Sequence, residues 1–135
     1  MGENIADLGG LLLALDAYHL SLNGAEAPVI NGLTGDQRVF LGWAQVWKGM
    51  YRPELMQMLL ASDPHSPPEY RVNGVVPNIP AFYEAFNIQP GDKLYLAPAK
   101  RVKIGSRLGR GSIWAMAHCG KRRRSTGVST RTRIF

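Results

Sequence analysis

Glu3 and Asp7 are carboxylates four residues apart. On an α-helix that spacing sets both on one face, about one turn apart. In most helices such a pair is a solvated polar edge. To serve a metal ion it needs further ligands, because one carboxylate does not make a site. A second group of polar residues stands at Asp63-Pro64-His65-Ser66-Pro67, with Arg71 just beyond. The prolines stiffen this loop around His65, and Asp63 can either orient His65 or pair with Arg71. His19 has no partner at metal-ligand spacing, and His118-Cys119 falls in a stretch without pattern. Both read as incidental.

The elements that must position these residues are mainly helical. Glu3 to Leu22 carries Ile5, Leu8, Leu12, Leu15 and Leu22 at helical period, with a second stripe at Leu11 and Tyr18, and predicts a helix buried on most sides. Gly9 and Gly10 weaken it by roughly 1 kcal/mol each relative to Ala, and imply either close approach of another backbone or a kink. Asn23-Gly24 stops it. Thr34 is the candidate cap of a second helix running to about Lys48, with Val39, Phe40, Trp43, Val46 and Trp47 as its apolar face. Pro53 fits the first turn of a third helix, Pro53 to Ala61. Ser62 to Pro68 holds three prolines and predicts a loop. Tyr70 to Val76 reads as extended or irregular, Asn78 as the cap of a short helix through Phe86, Pro90-Gly91 as a turn, and Lys93 to Leu96 as a short extended piece.

The totals narrow the class. A chain of 135 residues has the size of one domain, and a hydrophobic fraction of 45% argues against wholesale disorder. The longest apolar run, Leu11 to Leu15, is far below the roughly 20 residues that span a bilayer, so no membrane segment is expected in these residues. No basic start followed by an apolar core marks a signal peptide. Cys119 is the single cysteine, which excludes an internal disulfide. The net charge of +6 hides an asymmetry: residues 1–104 hold eight Lys/Arg against ten Asp/Glu, and residues 105–135 hold eight Lys/Arg and no acid. The second stretch, with Lys121-Arg122-Arg123-Arg124, is expected to be a disordered, basic and non-native tail. Eight cations would attract phosphates non-specifically. Without a zinc finger, a stacking array or a helix-turn-helix pattern, no specific nucleic-acid partner is expected.

Four islands occur in order: Gly-Glu-Asn-Ile-Ala-Asp at 2–7, Ala-Gln-Val-Trp at 44–47 continuing to Tyr-Arg-Pro-Glu at 51–54, Asp-Pro-His-Ser-Pro at 63–67, and Arg71 followed by Phe82 and Phe86. Together they resemble the catalytic domain of the neprilysin-type zinc metallopeptidases, over about residues 2–104. The resemblance implies the C-terminal helical part of a zincin-like catalytic domain that hydrolyses peptide substrates with Zn2+. It implies Glu3 as a zinc ligand and Asp7 as the acceptor that orients a zinc-bound histidine. It also implies His65 as the group that stabilises the oxyanion, and Arg71 as the group that grips the substrate backbone. Val46 and Trp47 resemble the wall of the pocket for the residue after the cleaved bond, although both also belong to the apolar stripe of their helix. The His-Glu-x-x-His helix that supplies the family's two histidines and general base is absent from this sequence. The resemblance therefore implies a missing N-terminal half as partner, and inactivity of the chain alone. Lys48, Asn87 and Lys100 stand where animal members carry cysteines, which points to a bacterial-type member. Arg101-Val102-Lys103-Ile104 matches the family's closing motif up to its Trp, where Gly105 and the basic tail follow instead.

Overall fold

The first helix, α1 (Gly2–Ser21), buries Leu8, Leu11 and Leu15, one stripe at helical spacing. The computed structural model describes residues 2–104; the basic stretch 105–135, with its expected disorder, and His118-Cys119 lie outside them. Burial of α1 on most sides is not what the described residues provide. Ile5, Leu13 and Leu20 are 54%, 71% and 73% exposed, because the neighbouring elements cover a single face. Gly9 and Gly10 have nothing among the described residues within 4 Å of where a Cβ would stand, and the helix continues through both. Asn23 and Gly24 end it in the left-handed region, at φ 49° and 81°.

Helix α2 (Gly35–Val46) starts from a full capping box. The Gln37 N–H donates to Thr34 Oγ1 at 3.3 Å, and the Thr34 N–H donates to Gln37 Oε1 at 2.9 Å. Gly35 is required there, since a Cβ would collide with the Tyr18 ring. Helix α2 stops at Val46 rather than Lys48, where the Trp47 N–H turns back to Gln45 O in a tightened last turn. His19 is not incidental to this packing. Its Nε2 lies 2.7 Å from Asp36 Oδ1 and ties the end of α1 to the start of α2.

Helix α3 (Pro53–Ser62) begins at Pro53 and buries none of its residues. The loop after it is shorter than its prolines suggest, because Pro68 opens a further helix, α4 (Pro68–Asn73). A 3-10 turn, Val76–Asn78, follows. The extended reading of Tyr70 to Val76 is thus replaced by helical turns. Pro68 fits a first helical position, and the coil places Arg71, Val75 and Val76 on the buried side together. Helix α5 (Pro80–Phe86) is capped by Ile79 without a side-chain bond. Asn78 does not cap it; its amide donates back to Gly74 O and Val75 O, and its Oδ1 accepts from the Val102 N–H. Residues 93–96 are turn and irregular chain, with the Leu96 N–H donating to the Tyr83 hydroxyl instead of a strand neighbour. Among the described residues there is no strand, and no helix is long and apolar enough to cross a membrane.

The core joins Leu8, Leu11 and Leu15 of α1 to Phe40 of α2, Val75, Val76 and Ile79, and Phe82 of α5. Phe40 meets Phe82 and Phe86 edge-on, with centroids 5.5 and 6.1 Å apart. Arg101 closes the far side, its guanidinium 3.6 Å over the Tyr83 ring. Truncation should separate the two faces of the fold. Phe40→Ala is expected to cost about 3–5 kcal/mol in urea unfolding followed by circular dichroism. Leu13→Ala, on the open face of α1, is expected to cost less than about 0.5 kcal/mol.

Candidate functional site

Helix α1 presents Glu3 and Asp7 on one face, as their spacing requires, and α4 lies alongside it. Arg71 of α4 donates from Nε and Nη2 to the two carboxylate oxygens of Asp7, the Nη2 bond being 2.8 Å. Both residues are buried, Asp7 to 8% and Arg71 to 6% exposure. Arg71 Nη2 also lies 3.5 Å from Glu3 Oε2, and Asp7 holds the guanidinium above its ordinary pKa, hence charged. Asp7 was expected to face a zinc-bound histidine; among the described residues its partner is Arg71. Two of its lone-pair positions are used in this pair, and a carboxylate has about four.

Asp63 resolves its two possible roles in favour of His65. Its Oδ1 accepts from the His65 backbone N–H at 2.9 Å and from Nδ1 at 2.6 Å. These bonds, the backbone one foremost, hold the Asp63 carboxyl below its ordinary pKa of 3.8. With Nδ1 engaged, the ring turns Nε2 toward α1, 3.9 Å from Glu3 Oε1. His65 and Glu3 are both half exposed. In the imidazolium form Nε2 carries the second N–H, the donor that a developing oxyanion needs.

Asn4 joins α1 to the loop and to α4. It accepts from Ser66 Oγ at 2.8 Å and donates to Tyr70 O at 3.2 Å. Sequence reasoning assigned it no role, and its place between the two carboxylates of Glu-Asn-x-x-Asp was the available signal. A pocket of about 230 Å³ opens beside these groups, lined by Trp47, Tyr51, Leu59, Asp63, His65 and Arg71 among others. Trp47 fits a wall of this pocket. Val46 does not line it and is 72% exposed, because the last turn of α2 carries the two neighbouring side chains to different sides.

Among the described residues no group of three or more His, Cys, Asp or Glu side chains could hold a metal ion. The Glu3 carboxylate, half exposed and contacted only loosely by Arg71 and His65, fits one ligand position of a zinc site. The described residues do not complete it.

Residues 1–102 match the family described as Peptidase family M13. The chain belongs to peptidase family M13. It is 46% identical over 108 residues to neprilysin-1 of Caenorhabditis elegans, a match over 76% of this chain and 14% of that protein. With endothelin-converting enzyme 1 of Homo sapiens it shares 46% identity over 98 residues, 70% of this chain and 13% of the relative. The zinc metalloprotease Zmp1 of Mycobacterium tuberculosis in its open state is similar at 60% identity and a TM-score of 0.75, over 78% of this chain and 16% of that one. Its inhibitor complex is similar at 61% identity and a TM-score of 0.74, over 76% and 16%. The chain thus spans about one seventh of the curated M13 relatives it matches. The higher identity to the mycobacterial enzyme agrees with the bacterial-type reading from Lys48, Asn87 and Lys100.

Two outcomes follow for this M13 segment. Carboxyl NMR titration should find Asp63 protonating below pH 3.8. Its hold on His65, complete above that value, is lost as the pH falls through the lower folded one. Arg71→Met should cost about 3–5 kcal/mol in urea unfolding, because it leaves the buried Asp7 carboxylate unpaired. Adding Asp7→Asn should recover part of that loss.

Proposed function

We infer that this chain is the C-terminal part of a zinc metalloendopeptidase catalytic domain, in which Glu3 supplies one metal ligand and the remaining ligands come from outside the described residues. The observation that carries this reading is the convergence of Glu3 with His65 and Arg71 of the pocket, which lie more than sixty residues from it in sequence. His65 Nε2 stands 3.9 Å and Arg71 Nη2 3.5 Å from the Glu3 carboxylate. When bound, zinc supplies the Lewis acidity that makes water a nucleophile near neutral pH.

The chain's own residues bind and orient. A peptide entering the pocket meets Arg71 along one side, where the planar fork suits a backbone carbonyl. His65, held by Asp63, offers an Nε2 donor to the oxygen of the attacked carbonyl as negative charge develops there. Trp47 and Leu59 give the pocket an apolar wall for a substrate side chain. Asp7 keeps two acceptor positions free of Arg71 for a ligand histidine's ring N–H, which fixes that ring's orientation.

The second part of the reading concerns the partner. Ile5, Leu13 and Leu20 on α1, with Leu55, Met58 and Leu60 on α3, form exposed apolar faces that favour burial against the N-terminal half of the catalytic domain.

The 135-residue chain with added zinc is expected to show no peptidase turnover. Combined with an M13 N-terminal half carrying His-Glu-x-x-His, it is expected to recover turnover. In that assembly His65→Ala should lower kcat by about 10²–10³-fold, and Glu3→Ala should abolish zinc retention measured by metal analysis. Robust turnover by the chain alone, or full zinc retention in Glu3→Ala, overturns the reading.

A further inference from the structure

The Arg71 guanidinium is fixed from two directions. Asp7 binds its edge through Nε and Nη2, and the Trp47 ring lies under its face, with Cζ 4.1 Å from the ring centroid. An edge contact alone sets where the fork sits but leaves the plane free to tilt about the carboxylate. A ring beneath the face removes that tilt, and an indole is the strongest of the aromatic partners for a cation. We propose that Trp47 is a positioning residue for Arg71, holding the plane of the guanidinium so that Nη1 stays directed for a substrate carbonyl.

A second observation, independent of the stacking distance, supports this. Trp47 Nε1 is buried and has no hydrogen-bond acceptor among the described residues. A buried indole N–H usually finds one. The orientation of Trp47 therefore comes from its ring contacts, with the Arg71 guanidinium over it and with Trp43 in a T-shaped arrangement whose centroid is 5.6 Å away. Arg71 Nη1, for its part, donates to no described residue, although Arg71 lines the pocket. The fork is thus divided between an edge consumed by Asp7 and a nitrogen left available, and Trp47 sets the plane containing both.

The purpose of this arrangement rests on the reading of Arg71 as the group that grips the peptide; the arrangement itself does not, and the two fail separately. Proton–nitrogen NMR of the full 135-residue chain reads the Arg71 Nε–H signal, identified by its loss in Arg71→Lys. The expected result is that Trp47→Leu, which keeps apolar bulk but removes the ring, moves this signal downfield as the ring current disappears. Trp47→Phe should move it only part of the way, since a smaller ring still lies beneath the guanidinium. Leu13→Ala, on the exposed face of α1 and not among the residues lining this pocket, should leave it in place. An Arg71 signal unmoved in both Trp47 variants overturns the proposal. So does a wild-type signal coincident with those of solvent-exposed arginines. A normal Trp47 response beside an unchanged KM for Arg71→Lys in the assembled enzyme would reject only the substrate role of Arg71.

Discussion

The Asp7–Arg71 pair is the contact on which the site depends. It joins α1 to α4 across sixty-four positions of sequence and lies at the edge of the core formed by Leu8, Leu11, Val75 and Val76. Two unlike charges withdrawn from water this far cost several kcal/mol each to desolvate, and only good paired geometry repays it. Such a pair adds little net stability but strongly disfavours any other register of α4 on α1. One turn of slippage would leave the buried Asp7 carboxylate without its partner. Through this constraint Glu3, one turn before Asp7, arrives beside Arg71 and His65.

A second tier of contacts hangs from that pair. Asn4 bridges Ser66 and Tyr70, so the loop bearing His65 is bound to the same turn of α1 that carries Glu3. Asp63 then orients the histidine within the loop, while Pro64 and Pro67 restrict the backbone on either side of it. Each polar side chain of Glu-Asn-x-x-Asp therefore has its own task. Glu3 stays half exposed, Asn4 holds the loop and Asp7 holds Arg71.

The core and the site divide the molecule unevenly. The aromatic contacts of Phe40, Phe82 and Phe86 hold α2 against α5, and the chain from Tyr83 through Arg101 wraps that end. By contrast, α3 buries no residue, and the outer stripe of α1 is bare among the described residues. Apolar side chains that would ordinarily be sheltered are thus exposed on α1 and α3. This suits a segment that represents about one seventh of its M13 relatives.

Local signals carried much of the secondary structure. The leucine period of α1, the Asn23-Gly24 stop, the Thr34 cap and Pro53 at a first turn act within a few residues of themselves, so they are legible without a fold. The four islands likewise pointed to the neprilysin-type family and marked Glu3, Asp7, His65 and Arg71 as candidate site residues. Longer-range partnerships could not be read this way. Whether Asp63 takes His65 or Arg71, whether Asn78 caps α5 or binds the 102 backbone, and which face of α1 is covered all depend on segments brought together by packing. Val46 and Trp47 show the limit most plainly. Adjacent in one apolar stripe, they are indistinguishable by period, yet one is exposed and the other lies beneath a guanidinium. Sequence alone determined the family, the starts of the first three helices and the candidate site residues, because propensity, capping and motif are local. Tertiary structure alone decided that Asp7 belongs to Arg71 and Trp47 to its face, because a buried charge takes whichever partner the packing of distant helices brings within reach.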